Sequence, residues 1–335
     1  MTEPTPLDGV DLVLADLDGV VYRGAEAIPH AVDSINRAGE TRRVGYITNN
    51  ASRTPTSVAE QLTSLGLHVV ADDVVTSPQA AVRLLSNLIP PGSLVLAVGG
   101  EGLLVELAQA GFAVTDSAKD RPAAVIQGFA QDLGWMQLAE AAYALQGEGA
   151  DIPWVATNTD WTLPTARGTA PGNGTLVSAI HLAVGRLPVV AGKPEVAIFD
   201  EALRRFGGMK PLFLGDRLDT DILGANRAGI DSVLVLTGID KAKQVLAADP
   251  NSRPTYLLDD LRGLHEPYPA ILDETMPDGS RTVTVGDAVV RMVGNVVSVA
   301  NSGGRRIDLL RAGTAAIWGS GLAIYGLEVE PELYA

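Results

Sequence analysis

The sequence predicts an α/β protein: a doubly wound parallel sheet with a second α/β domain inserted into it and a small α+β appendage at the C-terminal end. Short, continuous apolar runs, typical of strands buried on both faces, alternate with helical patterns along most of the 335 residues. These alternating units are too many for one simple sheet, which predicts the inserted domain. After about Pro269 the alternation gives way to β-branched runs with a hairpin signal, which predicts the appendage.

The N-terminal part of the chain predicts a βαβαβ unit. Residues 12–14 form a buried strand, and the helix "PHAVDSINRAGETRR" begins at Pro29 and ends near Gly39. There follow the strand "RVGYITNN", the helix "TPTSVAEQLTSLGL" with its stop at Gly66, and the strand "DDVVTS". Because helices join consecutive strands, the sheet is predicted to be parallel.

The middle of the chain continues the alternation. Predicted strands are "SLVLAVGG", "AAVIQGF" and "IPWVATN", each followed by a helix, and a second set then runs from "KPEVAIFDEALRRFGG" through "PLFLGD" and "TDILGANRAG" to "DSVLVLTG". The predicted domains are residues 1–81 for the first part of the core, 82–187 for the inserted domain, 188–268 for the second part of the core and 269–335 for the C-terminal extension.

The C-terminal extension is predicted to be a structural or oligomerisation element, and in the second case the protein would be a homo-oligomer. "RTVTV" and "DAVVRMVGNVVSVA" predict strands separated by the turn "GD", and "RIDLLRAGTAAIWGSG" predicts a short helix. If the extension is a satellite module, a chain ending near Leu272 is expected to keep the function of the remainder.

Composition excludes several function classes. The chain has no cysteine, so disulfides, thiolate metal sites and a thiol nucleophile are excluded. A formal net charge of −15 disfavours a nucleic-acid partner, because phosphate backbones attract basic surfaces. The four histidines lie far apart in the sequence, so a histidine-based zinc site is not expected.

Neither a secretory signal nor a membrane span is expected from the sequence. The N-terminal residues "MTEPTPLDG" lack a basic segment followed by an apolar one, which favours a cytoplasmic location. The longest apolar runs fall well short of the roughly 20 residues that a membrane helix requires, so no membrane partner is expected.

Two acidic residues follow the first predicted strand. In "DLVLADLDGVVYRG", Asp16 and Asp18 stand one residue apart where the strand ends, just before Gly19. Ligands of open α/β sheets bind outside the carboxyl ends of the strands, which favours a functional site. From this spacing alone, a solvated turn before Gly19 is an equally open alternative.

Three further fragments supply groups that a phosphate site would need: Thr48 and Asn49 in "GYITNN", Lys193 before a proline suited to the first helical position, and Asp216 and Asp221 in "LFLGDRLDTD". Taken singly, they also fit a strand-end threonine, a solvated lysine and a helix N-cap cluster. Taken together, they are predicted to lie at one rim of one sheet. A Mg²⁺ would then have to bridge the carboxylates, because acids alone repel an anionic substrate.

The chain resembles the haloacid dehalogenase (HAD) superfamily of Mg²⁺-dependent phosphatases over roughly residues 7–264. The resemblance lies in four motifs in this order: DxDG, a strand-end Thr, a Lys before a helix, and GDxxxxD. "DLDGVVYRG", "ITNNASRT", "APGNGTLVSAI" and "AGKPE" are further similar to the NagD-like branch, which includes phosphoglycolate, p-nitrophenyl phosphate and glycerol-3-phosphate phosphatases. The resemblance implies a Rossmann-like core with a large α/β cap between the Thr and Lys motifs. The whole-chain pattern is most similar to the glycerol-3-phosphate phosphatases, with phosphoglycolate as the runner-up substrate.

The resemblance also implies residue roles. Asp16 would be the nucleophile that forms an aspartyl-phosphate, and Asp18 the general acid and then the general base. The implied Mg²⁺ ligands are Asp16, the backbone carbonyl of Asp18 and Asp216, with Asp221 binding through water or orienting the others. The implied phosphate-binding groups are Thr48, the backbone around Asn49, and Lys193.

The sequence leaves two roles open for each of two loops, and it favours a structural role for the residues after the acidic pair. Asn158 and Asp160 in "ATNTDWTLPT", and the turn at residues 172–174, either line the mouth of the site or cap helices. Tyr22 and Arg23 are expected to be structural.

Other functions share part of this motif set. A phosphomutase shares all four motifs and differs in the acceptor, which is a second sugar phosphate instead of water. A phospho-accepting receiver domain carries its phosphorylated Asp on a later strand and has no inserted cap. A phosphate-binding module without turnover would not need Asp18.

Overall fold

The computed structural model describes residues 3–165 and 167–335, which form two compact units. One unit comprises the chain up to Val44 and from Gly208 onward, and the other comprises Gly45–Gly207. Strands and helices alternate through both, so the predicted α/β class is confirmed. None of the helices in the described part combines the length and the hydropathy needed to cross a membrane.

The described strands and helices follow one another along the whole chain. The strands are β1 Leu12–Ala15, β2 Tyr22–Arg23, β3 Glu26–Ala27, β4 Arg43–Thr48, β5 Val74–Thr76, β6 Leu94–Val98, β7 Ala113–Thr115, β8 Ala124–Gln127, β9 Trp154–Ala156, β10 Thr162–Thr165, β11 Gly168–Pro171, β12 Val189–Val190, β13 Pro211–Gly215, β14 Asp231–Val235, β15 Tyr256–Leu258, β16 Ile271–Thr275, β17 Arg281–Val285, β18 Ala288–Val293, β19 Val296–Asn301 and β20 Glu328–Val329. The α-helices are α1 Ala31–Gly39, α2 Pro55–Ser64, α3 Ser77–Ser86, α4 Glu101–Gln109, α5 Trp135–Ala144, α6 Asn173–Val184, α7 Val196–Phe206, α8 Leu223–Arg227, α9 Ala242–Leu246 and α10 Arg306–Gly319.

A parallel sheet in the first unit brings two of the acidic motifs to the same edge. Strands β15, β14, β13 and β1 lie side by side in this order, each parallel to the next. All of β1 is buried, as expected for a strand covered on both faces. Because Ala15 pairs with Leu214, Asp16 and Asp216 follow adjacent strands at their carboxyl ends.

The second unit also contains parallel strands. β4 and β5 pair in parallel, which places Thr48 beside Thr76. Strands β12, β9, β8, β6 and β7 form a further parallel sheet in this order. An apolar cluster that includes Trp154 joins this sheet to α5 and α6. The exact limits of an inserted domain, residues 82–187, stay a prediction.

The start of α7 differs from the predicted one. Glu195 is the N-cap and Val196 the first helical residue, so Pro194 lies ahead of the helix and not at its first position. The reason is a turn that the Glu195 N–H closes on the Gly192 carbonyl oxygen at 3.0 Å. Lys193 therefore lies in a turn that leads into the helix.

Two other helices also begin differently from the sequence prediction. α1 starts at Ala31 and not at Pro29, because His30 adopts a left-handed φ of 67° that an α-helix does not contain. The predicted helix "TDILGANRAG" begins as a π-helical turn, Leu218–Ile222, and continues as α8. Such turns are frequent at functional sites, and this one carries Asp221.

The C-terminal extension shares a hydrophobic core with the rest of the first unit. β16 to β19 are antiparallel neighbours, and β20 is parallel to β19. Side chains of β17, β18, β19 and α10 form one cluster with those of β14, α9 and β15; its members include Leu234, Val245, Leu246, Leu257, Val283, Val290, Val297, Leu310 and Ile317. Within α10, buried Arg311 donates to the Leu257 carbonyl oxygen at 2.7 Å and to Asp308 at 2.7 Å. The extension is therefore not a satellite module.

A chain that ends at Leu272 is consequently expected to be insoluble or unfolded, in contrast to the expectation from the sequence. Each large apolar side chain removed from the shared core lowers the free energy of unfolding by roughly 1.5–3 kcal/mol. The free energy of unfolding of a whole domain is only about 5–15 kcal/mol. Soluble yield, circular dichroism and thermal unfolding of the truncated and full chains test this. A soluble truncated chain with an unchanged melting temperature would contradict it.

A buried carboxylate on α7 is held by arginines in the second unit. Glu201 is 4% exposed and accepts from Arg204 at 2.7 Å and from Arg205 at 2.9 Å, with Arg83 at 3.7 Å. Burial alone would raise the pKa of Glu201, but the hydrogen bonds from Arg204 and Arg205 outweigh it and hold the pKa below its ordinary value of 4.5. The ionised form is thus stabilised by folding.

Glu201→Gln is expected to lower the free energy of unfolding by about 1–3 kcal/mol at pH 7, because hydrogen bonds to a charged partner are lost. Since the folded pKa is the lower one, the stabilisation is complete above the unfolded value of 4.5 and is lost as pH falls through the folded pKa. The difference between wild type and variant should therefore shrink below pH 4.5. Urea unfolding at pH 7 and pH 4 measures it, with Glu148→Gln, at an exposed position of a short 3₁₀ helix, as control; equal stability at pH 7 would contradict this account.

Candidate active site

Three buried carboxylates meet at the edge of the parallel sheet in the first unit. Asp16, Asp216 and Asp221 each offer an oxygen, and these oxygens lie within 4.8 Å of one another. The three side chains are 7%, 1% and 1% exposed. Buried like charges repel one another strongly unless a cation compensates them. A set of hard oxygen donors is what Mg²⁺ prefers, so the residues present fit a magnesium ion.

Backbone amides fix the two aspartates of the GDxxxxD motif. One oxygen of Asp221 accepts from the N–H of Asp216 at 3.0 Å and from the N–H of Arg217 at 3.2 Å. Asp216 Oδ2 accepts from the N–H of Ile239 at 2.6 Å. These charge-assisted bonds set the orientation of both carboxylates. The sequence predicted that Asp221 would act through water or as an orienting group, and its precise role stays a prediction.

Asp18 is not one of the three clustered carboxylates, which are those of Asp16, Asp216 and Asp221. Its side chain is exposed, and the Tyr22 hydroxyl lies 3.4 Å from Asp18 Oδ2, a long hydrogen bond. The Gly19 N–H donates to the Tyr22 carbonyl oxygen at 2.9 Å, which closes the turn. The contact with Tyr22 was not predicted, although its spacing of four residues was visible in the sequence.

Gly19 is required at its position for two reasons. Its φ of +87° lies in the left-handed region that favours glycine. An added Cβ would also overlap the Asp216 carboxylate. The glycine of the DxDG motif therefore allows the first acidic motif to lie against the second.

The predicted phosphate-binding residues lie in the second unit. Thr48, the last residue of β4, is 3% exposed and Lys193 is 4% exposed, so Lys193 is not the solvated surface residue of the alternative interpretation. Thr48 Oγ1 accepts from the N–H of Asn50 at 3.1 Å. A lysine buried to this degree needs anionic or polar neighbours to remain charged.

The Asn49 side chain holds the backbone of Lys193. Asn49 Oδ1 accepts from the N–H of Lys193 at 2.8 Å, and Asn49 Nδ2 donates to the Lys193 carbonyl oxygen at 3.1 Å and to Asp160 Oδ1 at 3.1 Å. The structure thus brings Asn49 and Lys193 together across 144 residues of sequence. The sequence indicated a backbone role for Asn49, and this use of its side chain was missed.

The loop that contains Asn158 and Asp160 is hydrogen-bonded to Asn49. Asn158 Nδ2 donates to the Asn49 carbonyl oxygen at 2.8 Å, and Asn158 Oδ1 accepts from the N–H of Asp160 at 3.1 Å. Asn173, at the start of α6, donates to the Asn158 carbonyl oxygen at 2.8 Å. These contacts give the loop a supporting function for Asn49 and hence for the turn that carries Lys193.

A fourth acid adjoins the carboxylate cluster. Burial raises the pKa of the Asp240 carboxyl, and the negative charges of Asp219 and Asp221 act in the same direction. The N–H of Leu218 donates to Asp240 Oδ2 at 2.6 Å and opposes that rise. Burial, followed by the positive charge of Arg23, lowers the pKa of neighbouring Lys241.

Two family models match the chain. Residues 13–113 match the haloacid dehalogenase-like hydrolase model, and residues 190–264 match a HAD-hydrolase-like model. Together they contain the acidic pair, the Thr and Lys motifs and the GDxxxxD motif. The motif positions inferred from the sequence therefore fall inside the matched segments.

Relatives of established activity extend this similarity over most of the chain. The D-glycerol 3-phosphate phosphatase of Mycobacterium tuberculosis is 42% identical over 310 residues, which is 92% of this chain and 86% of the relative. A 5′-nucleotidase of Bacillus subtilis is 33% identical over 252 residues, 74% of this chain and 94% of the relative. A crystal structure of the glycerol phosphate phosphatase from M. tuberculosis in complex with magnesium superposes with a TM-score of 0.85 at 39% identity, covering 98% of this chain and 95% of that one.

Proposed function

This chain belongs to the haloacid dehalogenase-like hydrolases and is a phosphatase, and from that premise we propose that it hydrolyses glycerol 3-phosphate with the help of Mg²⁺. The observation that carries the proposal is the buried group of Asp16, Asp216 and Asp221, of which the first two follow adjacent parallel strands. The choice of glycerol 3-phosphate rests on the likeness to the mycobacterial phosphatase, which spans nearly the whole chain. Phosphoglycolate remains the second candidate substrate.

The magnesium ligands we assign are Asp16, the backbone carbonyl of Asp18, Asp216 and, directly or through water, Asp221. The fit is supported by the oxygen-only donor set and by its burial. When bound, Mg²⁺ would offset the negative charge of the carboxylates and of the phosphoryl group. Without a cation, the same carboxylates would repel the substrate.

The reaction we propose uses the two acids of the first motif in turn. The Asp16 carboxylate attacks phosphorus, the bond from phosphorus to the substrate oxygen breaks, and an aspartyl-phosphate forms. Asp18 gives its proton to the departing alkoxide. It then takes a proton from the water that cleaves the aspartyl-phosphate, which releases inorganic phosphate and restores both residues.

We assign the phosphoryl oxygens to Thr48, the backbone at Asn49, and Lys193. Their support is the burial of Thr48 and Lys193 and the two hydrogen bonds that fix the Lys193 backbone to the Asn49 side chain. Preorganised donors of this kind stabilise charge that develops on transferring phosphoryl oxygens. A cytoplasmic location and a homo-oligomer stay predictions.

Phosphate release from a panel of small phosphomonoesters tests the proposal. With Mg²⁺ present, glycerol 3-phosphate is expected to give the highest kcat/KM, above phosphoglycolate, a 5′-nucleotide and p-nitrophenyl phosphate. Chelation should abolish turnover, and Ca²⁺ should inhibit because it takes more ligands in a looser geometry and would occupy Asp16. Full activity after exhaustive chelation would contradict the metal-based mechanism, and transfer of phosphate to a second sugar phosphate in preference to water would identify a phosphomutase.

A further inference from the structure

A short loop outside the four motifs contacts the turn after the acidic pair, Asp216 and the helical turn that carries Asp221. It consists of residues 237–240, begins one residue beyond the end of β14, and is called the 237–240 loop here. Its sequence, "TGID", contains no group for which the mechanism above has a use, since its one acid lies outside the carboxylate cluster. Its contacts suggest a different kind of role.

The first set of contacts holds Asp216. The N–H of Ile239 donates to Asp216 Oδ2 at 2.6 Å, and the N–H of Asp240 donates to the Asp216 carbonyl oxygen at 3.1 Å. Gly238 lies so close that an added Cβ would overlap the Asp216 carboxylate. The loop therefore fixes both the side chain and the backbone of this acid, and uses one carboxylate oxygen to do so.

The second set of contacts holds the turn after Asp18. The Thr237 hydroxyl donates to the Gly19 carbonyl oxygen at 2.7 Å. The Arg23 guanidinium, four residues beyond Gly19, donates to the Thr237 carbonyl oxygen. One residue of the loop is thus bound to both ends of the segment that follows the acidic pair.

The third contact holds the π-helical turn that carries Asp221. Asp240 Oδ2 accepts from the N–H of Leu218, the first residue of that turn, at 2.6 Å. An acid that accepts from the start of a helical turn acts as a cap for it. The 237–240 loop thereby joins the DxDG turn, Asp216 and the turn of Asp221 to one another.

We propose that the 237–240 loop is a positioning element for the magnesium site, and that the Thr237 hydroxyl links the two acidic motifs at the correct separation. The inference rests on the proposed Mg²⁺-dependent function. Mg²⁺ demands nearly ideal octahedral geometry, so a small change in the separation of Asp16 and Asp216 weakens binding. Groups that orient metal ligands typically change metal affinity by about 10–100-fold when removed. Neither Thr237 nor Asp240 has to touch the substrate for this.

Thr237→Val tests the link, because it removes the hydroxyl and keeps the branched shape. Isothermal titration calorimetry without substrate is expected to give a Kd for Mg²⁺ raised by about 10-fold or more, while the melting temperature in chelator falls only slightly, because one neutral hydrogen bond contributes only modestly to the free energy of unfolding. Thr237→Ser restores the hydroxyl and should return the Kd to near that of wild type. Unchanged Mg²⁺ affinity in Thr237→Val, with a wild type that binds, overturns the inference and leaves the proposed function intact. A wild type that binds no Mg²⁺ overturns both.

A matched control separates this effect from the loss of any threonine hydroxyl. Thr255 also flanks the parallel sheet, where its hydroxyl accepts from the Ser232 N–H at 3.1 Å and donates to Asp231 at 3.2 Å, so Thr255→Val should leave Mg²⁺ affinity unchanged. Asp240→Ala breaks a different link of the loop and keeps the inference testable if Thr237→Val fails to fold. It should also weaken Mg²⁺ binding, and wild-type affinity in the folded variant would overturn the inference.

Discussion

Asp16→Asn is expected to abolish phosphate release from every substrate, by at least about 10⁴-fold, because it removes the nucleophilic carboxylate and one metal charge. Asp18→Asn should behave differently, because it leaves the nucleophile in place and removes only the proton donor and base. The separation of the two side chains in the structure, one in the buried cluster and one exposed, is the physical ground for the difference.

The leaving group reveals what Asp18 does. The alkoxide of glycerol leaves poorly unless protonated, whereas p-nitrophenolate is a stable anion near neutral pH. Asp18→Asn should therefore slow the first step by about 10²–10⁴-fold with glycerol 3-phosphate and much less with p-nitrophenyl phosphate. With the second step impaired, rapid mixing should show a burst of nitrophenol followed by slow turnover.

Asp33→Asn, an exposed acid on α1, is the control for this series and should be fully active. Equal losses of the first step with both substrates, without a resolvable burst, would count against Asp18 as acid and base. Detectable phosphate release by Asp16→Asn after purification in chelator and return of Mg²⁺ would count against Asp16 as nucleophile.

Lys193→Met is expected to lower kcat/KM by about 10²–10³-fold, the usual cost of removing one preorganised donor to a developing charge. The Met side chain is about as long as that of Lys but carries no charge, and Lys193 is only 4% exposed. Because Met keeps the length and the apolar stem of the side chain, the melting temperature reports the loss of the charge alone. Low activity with unchanged stability would separate a role in phosphate binding from one in folding.

Lys119→Met, at an exposed position of the same unit, is the matched control and should leave both activity and melting temperature unchanged. Retention of kcat/KM within tenfold in Lys193→Met would remove Lys193 from the phosphate-binding group. A large fall in melting temperature would instead indicate that the ammonium group holds the second unit together.

The elements that could be predicted from the sequence are those with a local signal. The apolar run before Asp16, the run before Asp216 and the helical spacing between strands each lie within a few residues, and the structure has strands and helices there. Parallel topology places the carboxyl ends of strands at one edge, and the pairing of Ala15 with Leu214 puts Asp16 and Asp216 at such an edge. Local signals were therefore sufficient for the fold class and for the acidic edge of the sheet.

The parts that were missed depend on contacts between distant residues. The Asn49 side chain binds the Lys193 backbone across 144 residues, and no spacing in the sequence indicates that pair. The apolar residues of the C-terminal extension would have the same spacing if its sheet packed only against its own helix. In the structure, Ile317 and Val283 instead pack in a cluster that also contains Leu234. Hydrophobic patterning says that a face is buried, and does not say against what.

The discontinuity of the first unit has a consequence for synthesis on the ribosome. β1 emerges early, but its neighbour β13 is encoded about 200 residues later, an interval of about 10–40 s at typical translation rates. The second unit is continuous in sequence and can fold during that interval. Nascent chains therefore carry the edge of Leu12–Ala15 that pairs with β13 open for most of their elongation, and an open strand edge is a template for pairing with other chains.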